Sequence, residues 1–152
     1  MGRETLGVSM KMKLIAASFV LAVGTLAAPA IGQSDTVSTL LETANDLFGA
    51  QGFKPTGWRE RGSIADDAEA RHSIQLTAGT QYAMLGVCDD DCEDLDLEIL
   101  DPTGRSVAED EAADDSPIVN FETESAGRYQ VVARMADCDA APCAYGIAAF
   151  AK

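Results

Sequence analysis

The stretch CDDDCEDLDLEIL, residues 88 to 100, concentrates the reactive groups of this chain. Two cysteines bracket three aspartates, and further carboxylates then alternate with apolar residues. Asp89, Asp90, Asp91, Glu93, Asp94 and Asp96 fall within eight positions. Carboxylates this dense repel one another, and each resists ionisation unless a cation compensates. Calcium takes about six to eight oxygens, often from one acidic loop. The short spacings Asp89/Asp91 and Asp94/Asp96 make these four the candidate calcium ligands. The pattern is not that of an EF-hand loop, which needs D-x-D-x-D-G and a later glutamate. The competing reading is a solvated turn followed by the polar face of a strand. A third role for Asp94 or Asp96 is to accept hydrogen bonds from the backbone of a neighbouring loop.

Four cysteines form two tight pairs in sequence, Cys88/Cys92 and Cys138/Cys143. An even number in an exported chain implies disulfides. Three connectivities are open. The local pairs 88–92 and 138–143 are favoured because each spans one short turn. Cross-pairing is the alternative if the two turns meet at one end of the fold. The C-x3-C and C-x4-C spacings are not those of common zinc sites. Nor do they match the redox C-x-x-C, and flanking aspartates raise a thiol's pKa rather than lower it.

Other catalytic chemistry has little material. His72 is the sole histidine, so an H-E-x-x-H metal centre is impossible. No G-x-S-x-G elbow and no glycine-rich phosphate loop occurs. His72 reads as a satisfied residue at the edge of a strand. The reading is therefore of a chain that is not an enzyme.

The start of the chain indicates export. Lys11 and Lys13 precede an uncharged apolar run, 14–28, which ends in the small residues Ala28-Pro29-Ala30-Ile31-Gly32. That is the layout of a signal peptide over 1–32. Residues 1–9 read as a mis-assigned start, with Met10 as the true one. The run is shorter than the roughly 20 residues a bilayer span needs, so no stable membrane insertion is expected after cleavage. From Gln33 onward, eight Lys and Arg face 24 Asp and Glu, a formal charge of −16. Phosphate backbones repel such a chain, which excludes nucleic acid as a partner. The charge serves solubility, or else an appetite for cations or a basic partner.

The elements that must position these groups follow from periodicity. Residues 34–49 place Val37, Leu40, Leu41, Ala44, Leu47 and Phe48 at helical spacing, with Ser34 or Asp35 as cap and Gly49 or Gly52 as stop. Residues 50–71 carry Gly, Pro and mixed charge and read as a connection, with a short strand around Trp58. Trp58, the single tryptophan, is expected in the core or at its seam. From His72 the period becomes two, in short runs bounded by turn signals. These runs are 72–78, 81–88, 94–100, 105–110, 118–123, 128–136 and 144–151, with Asp101-Pro102-Thr103-Gly104 as a turn. The run 81–88 is mostly apolar, as in a strand that is central or buried on both faces. About seven strands with no helix between them predict an all-β, antiparallel, jelly-roll-like β-sandwich carrying one N-terminal amphipathic helix.

Several residues in that order resemble the bacterial pre-peptidase C-terminal domain. They are the Leu76–Gly79 turn, Asp94–Leu97 leading to the Asp101–Gly104 turn, the strand opening Ala126–Tyr129, and Tyr145–Ile147. The resemblance covers about 72–151. It implies a small jelly-roll-like sandwich over 72–152 that is not catalytic, with secretion, substrate binding or calcium-dependent stability as associated roles. Here a helix and linker over 33–71, rather than a peptidase, precede it, and the cysteine turns are not a general feature of that family. The combined expectation is a free-standing, exported module of the periplasm or medium. It would bind an envelope protein or glycan, with calcium binding as the alternative.

Overall fold

A computed structural model describes residues 32–152, with side chains from Thr36 onward. The expected signal segment lies outside the described residues except for Gly32, and the proposed cap side chains Ser34 and Asp35 lie outside them as well.

Eight strands form two antiparallel four-stranded sheets. They are β1 (Lys54–Ile64), β2 (Glu69–Leu76), β3 (Gln81–Cys88), β4 (Cys92–Leu100), β5 (Ser106–Asp110), β6 (Ile118–Glu122), β7 (Gly127–Cys138) and β8 (Cys143–Ala151). One sheet has the order β1-β8-β3-β6 and the other β2-β7-β4-β5. The pairings β1–β8, β2–β7, β3–β6 and β4–β5 are those of one long antiparallel ribbon rolled into a sandwich. This is the jelly-roll arrangement, and among the described residues it leaves no parallel neighbours.

The core between the sheets follows from alternation. On β4, Leu95, Leu97 and Ile99 point inward and are fully buried. They meet Tyr129, Val131, Ala133 and Met135 of β7, and Met84 and Ile147 from the opposite sheet. Strands β3 and β8 are buried on both faces, as the mostly apolar run 81–88 predicted for β3. The cause is α1 (Gly32–Ala50), which lies across their outer face. Val37, Leu41, Ala44 and Phe48 pack there on Ala83, Leu85, Val87, Ala148 and Phe150, with Phe48 and Phe150 stacked at 4.4 Å. Gly146 is what allows the close approach: a Cβ there would stand 2.7 Å from Val37 Cγ1 and 2.8 Å from Leu41 Cδ1. The apolar stripe is narrower than expected, since Leu40 and Leu47 are 39% and 52% exposed.

The helix stops by a Schellman motif. Phe53 N–H donates to Phe48 O and Gly52 N–H to Gly49 O, while Gly52 takes φ 88°. The apolar contact that accompanies such a cap is Phe53 edge-on to Phe48, at 6.1 Å.

One segment departs from the sequence expectation. Residues 54–64, read as part of a connection with a short strand near Trp58, form the full edge strand β1, so the sandwich begins at Lys54 and not at His72. Eight of its eleven residues are exposed, which erases the period-two hydrophobic signal. Trp58 is half-buried against the inter-sheet core, at the seam.

Candidate functional site

Both bridges are local: Cys88–Cys92 and Cys138–Cys143, with Cα separations of 5.9 and 6.0 Å. All four sulfurs sit on buried residues. The two turns do meet at one end of the fold, since Cys92 of β4 lies in register with Cys138 of β7. They are joined there by hydrogen bonds rather than by cross-bridges. Asp139 N–H donates to Asp91 O at 2.8 Å. Asp89 N–H donates to Ala144 O at 3.0 Å, and the Asp89 carboxylate accepts Ala144 N–H at 2.7 Å. Asp66, in the turn after β1, accepts Cys138 N–H at 3.1 Å.

Asp89 thus has a structural task that the sequence did not reveal. It is 2% exposed, and its two bonds to Ala144 tie the end of β3 to the start of β8. Its partner lies 55 residues away, so no local pattern could have named it. The backbone-binding role assigned to Asp94 or Asp96 belongs to Asp89 instead.

The four candidate calcium ligands do not converge. Asp89 follows the end of β3 and is buried, while Asp94 and Asp96 alternate with the buried Leu95 and Leu97 of β4 and so face outward on the sheet. Asp94 stands near Asp114 and Asp137, and Asp96 opposes Arg134 across the ladder. Among the described residues no group of three His, Cys, Asp or Glu stands close enough to hold a metal ion. Asp89, Asp91, Asp94 and Asp96 therefore do not form one such group.

The carboxylates nevertheless crowd. Desolvation raises the Asp94 pKa above the ordinary carboxylate value, and Asp114 and Asp137 raise it further against the opposing pull of Arg134. Desolvation raises Asp96 too, followed by repulsion from Asp94 and Glu111. Asp89, Asp90, Cys92, Glu93, Asp114 and Asp115 line an open depression of about 420 Å³ at this end. Its far wall is the acidic loop 111–117, pinned by Leu95 N–H donating to Asp114 O and Gly86 N–H donating to Pro117 O.

Asp101 behaves in the opposite way. In the β4–β5 turn its carboxylate accepts Thr103 N–H, Thr103 O–H and Arg105 N–H, and it pairs with the Arg105 guanidinium at 3.0 Å. The Thr103 hydroxyl, first among these partners, lowers its pKa to about 2.

His72 is a satisfied edge residue, as read from the sequence, and joins the two sheets on the side opposite the acidic loop. Its Nε2 lies 2.6 Å from the Tyr145 hydroxyl, and Glu60 Oε2 lies 3.6 Å from Nδ1. Which of the two donates follows the imidazole tautomer. Desolvation, then Glu60, raises the Tyr145 pKa. The phenol is held protonated, which disfavours it as a nucleophile.

No family model matches the chain, and no curated protein matches it. Among solved structures it is similar to PliG of Aeromonas hydrophila, a periplasmic lysozyme inhibitor of g-type lysozyme. The two are 10% identical over 62% of this chain and 85% of that one, with a TM-score of 0.47. A likeness at that level bears on neither partner nor activity.

Proposed function

We propose that this chain is an exported module that works by binding a protein or glycan of the cell envelope and carries out no reaction. The observation that carries the reading is the pair of buried local disulfides holding an acidic end rigid. Bridged cysteines belong to oxidising compartments, and this agrees with the signal-like start of the chain. Among the described residues no helix is long and apolar enough to cross a membrane. Rigid polar loops on a well-packed sandwich suit recognition, because a pre-organised surface loses little entropy on binding. Kinship with the pre-peptidase C-terminal domain, as a free-standing relative, is part of the same proposal. Calcium is left out of it, because the proposed ligands do not group.

The test is to express the full chain with a C-terminal tag, fractionate the cells and cross-link the envelope fraction. The reading expects a processed, oxidised form in the periplasm or medium, with cross-links concentrated on the disulfide end. An unprocessed form in the cytosol with reduced thiols would overturn it.

A further inference from the structure

Among the described residues, two buried side-chain polar atoms have no partner, Asp89 Oδ1 and Asp94 Oδ1. Both are carboxylate oxygens of the disulfide end. Asp89, 2% exposed, lines the acidic depression with Asp90, Glu93, Asp114 and Asp115. A buried carboxylate oxygen with nothing to accept is costly, and here its neighbours are further carboxylates. Arg134 of β7 faces Asp94 and Asp96, and among the described residues no Lys or Arg lines the depression itself. Between His72 and Gly127 the single Lys or Arg is Arg105, and it is committed to Asp101.

We propose that this depression receives an arginine side chain presented by a basic partner protein. The inference rests on the binding-module reading and specifies its partner. A metal ion is the rival occupant, but it needs donors converged on a point, and no such group of three exists among the described residues. A guanidinium has the complementary demand. Its five N–H donors fan out in a plane and can bond carboxylates spread around a rim. The rim is already ordered. The Cys88–Cys92 bridge closes one wall. On the other wall Asp114 Oδ1 accepts Ser116 N–H, and Asp115 Oδ1 accepts Ser116 O–H. Each of these two aspartates keeps its second oxygen outside those bonds. An arginine entering the depression meets charge that is fixed in place, so little ordering entropy is lost.

The experiment measures fluorescence anisotropy of a labelled tetra-arginine peptide against the oxidised chain near physiological salt. Two triple variants remove the same charge. D90N/E93Q/D115N neutralises exposed residues of the depression, and E109Q/E122Q/E124Q neutralises exposed residues elsewhere. The site triple weakens binding at least about tenfold and the remote triple less than about twofold, since local pairing outweighs screened distant charge. D89N, which keeps an acceptor for Ala144 N–H, also weakens binding while its circular dichroism matches the wild type. Equal losses in the two triples would overturn the proposal by showing diffuse attraction only. Displacement of the peptide by millimolar calcium with a rise in melting temperature would overturn it in favour of a metal. The cross-linking experiment separates the two levels. Envelope cross-links that survive in the site triple sink this site and leave the module reading intact, whereas their absence in the wild type sinks the module reading itself.

Discussion

Leu41 and Gly146 form a contact whose energetics can be worked out in advance. Leu41 is fully buried, and its Cδ1 occupies the space that a Cβ on Gly146 would enter. Leu41→Ala removes this side chain from the helix–sheet interface and leaves a cavity, which costs about 3 to 5 kcal/mol. Gly146→Ala overpacks the same spot at about 1 to 3 kcal/mol, offset by roughly 0.5 to 1 kcal/mol because glycine weakens a strand interior. The double variant lets the new methyl group fill part of the cavity, although Val37 Cγ1, 2.7 Å from that Cβ position, still obstructs it. The two changes are therefore non-additive by about 1 kcal/mol or more, in the compensating sense. Urea unfolding at fixed pH, with an unchanged m-value, measures all three variants. If the single costs add within about 0.5 kcal/mol, or Leu41→Ala costs less than about 1 kcal/mol, α1 does not dock on β3 and β8 as described.

Further outcomes follow from the polar sites. Asp101 has a pKa lowered to about 2, so it contributes stability that is fully present above about pH 4 and lost as pH falls through about 2. Asp101→Asn is thus less stable than wild type at pH 7, and the gap closes between pH 4 and 2 in thermal melts. Asp94 has a raised pKa, chiefly by desolvation. Its charge therefore costs stability at neutral pH, and the cost is relieved as the group protonates on acidification. Asp94→Asn melts higher than wild type at pH 7, and this advantage shrinks as pH drops toward 4. A constant advantage across that range would refute the assignment. Asp89→Ala strands the half-buried Ala144 N–H and costs about 1 kcal/mol or more, read as faster hydrogen exchange at Ala144. Unchanged exchange there would contradict the clasp.

Much of the fold was legible because its central strands alternate cleanly. Leu95, Leu97 and Ile99 announced one buried face of β4, and the mostly apolar run of β3 announced two. The helix was visible from its stripe, though its flank was not. Leu40 and Leu47 lie at helical spacing with the core residues yet point past the edge of the interface. The strand β1 was hidden for a physical reason. Paired on one side to β8 and mostly exposed, it needs no hydrophobic period, and Pro55 with a register shift before Arg59 mimics a loop. The local disulfides were favoured from spacing alone. The role of Asp89 was hidden because it depends on Ala144, far along the chain.

The account rests on an oxidised sandwich whose two bridges are local and whose acidic end they hold. Non-reducing peptide mapping by mass spectrometry, on the chain purified from the periplasm or medium without reductant, tests this most directly. It should find Cys88 linked to Cys92 and Cys138 linked to Cys143, with no free thiol. Free thiols, or bridges running between the two turns, would contradict the account.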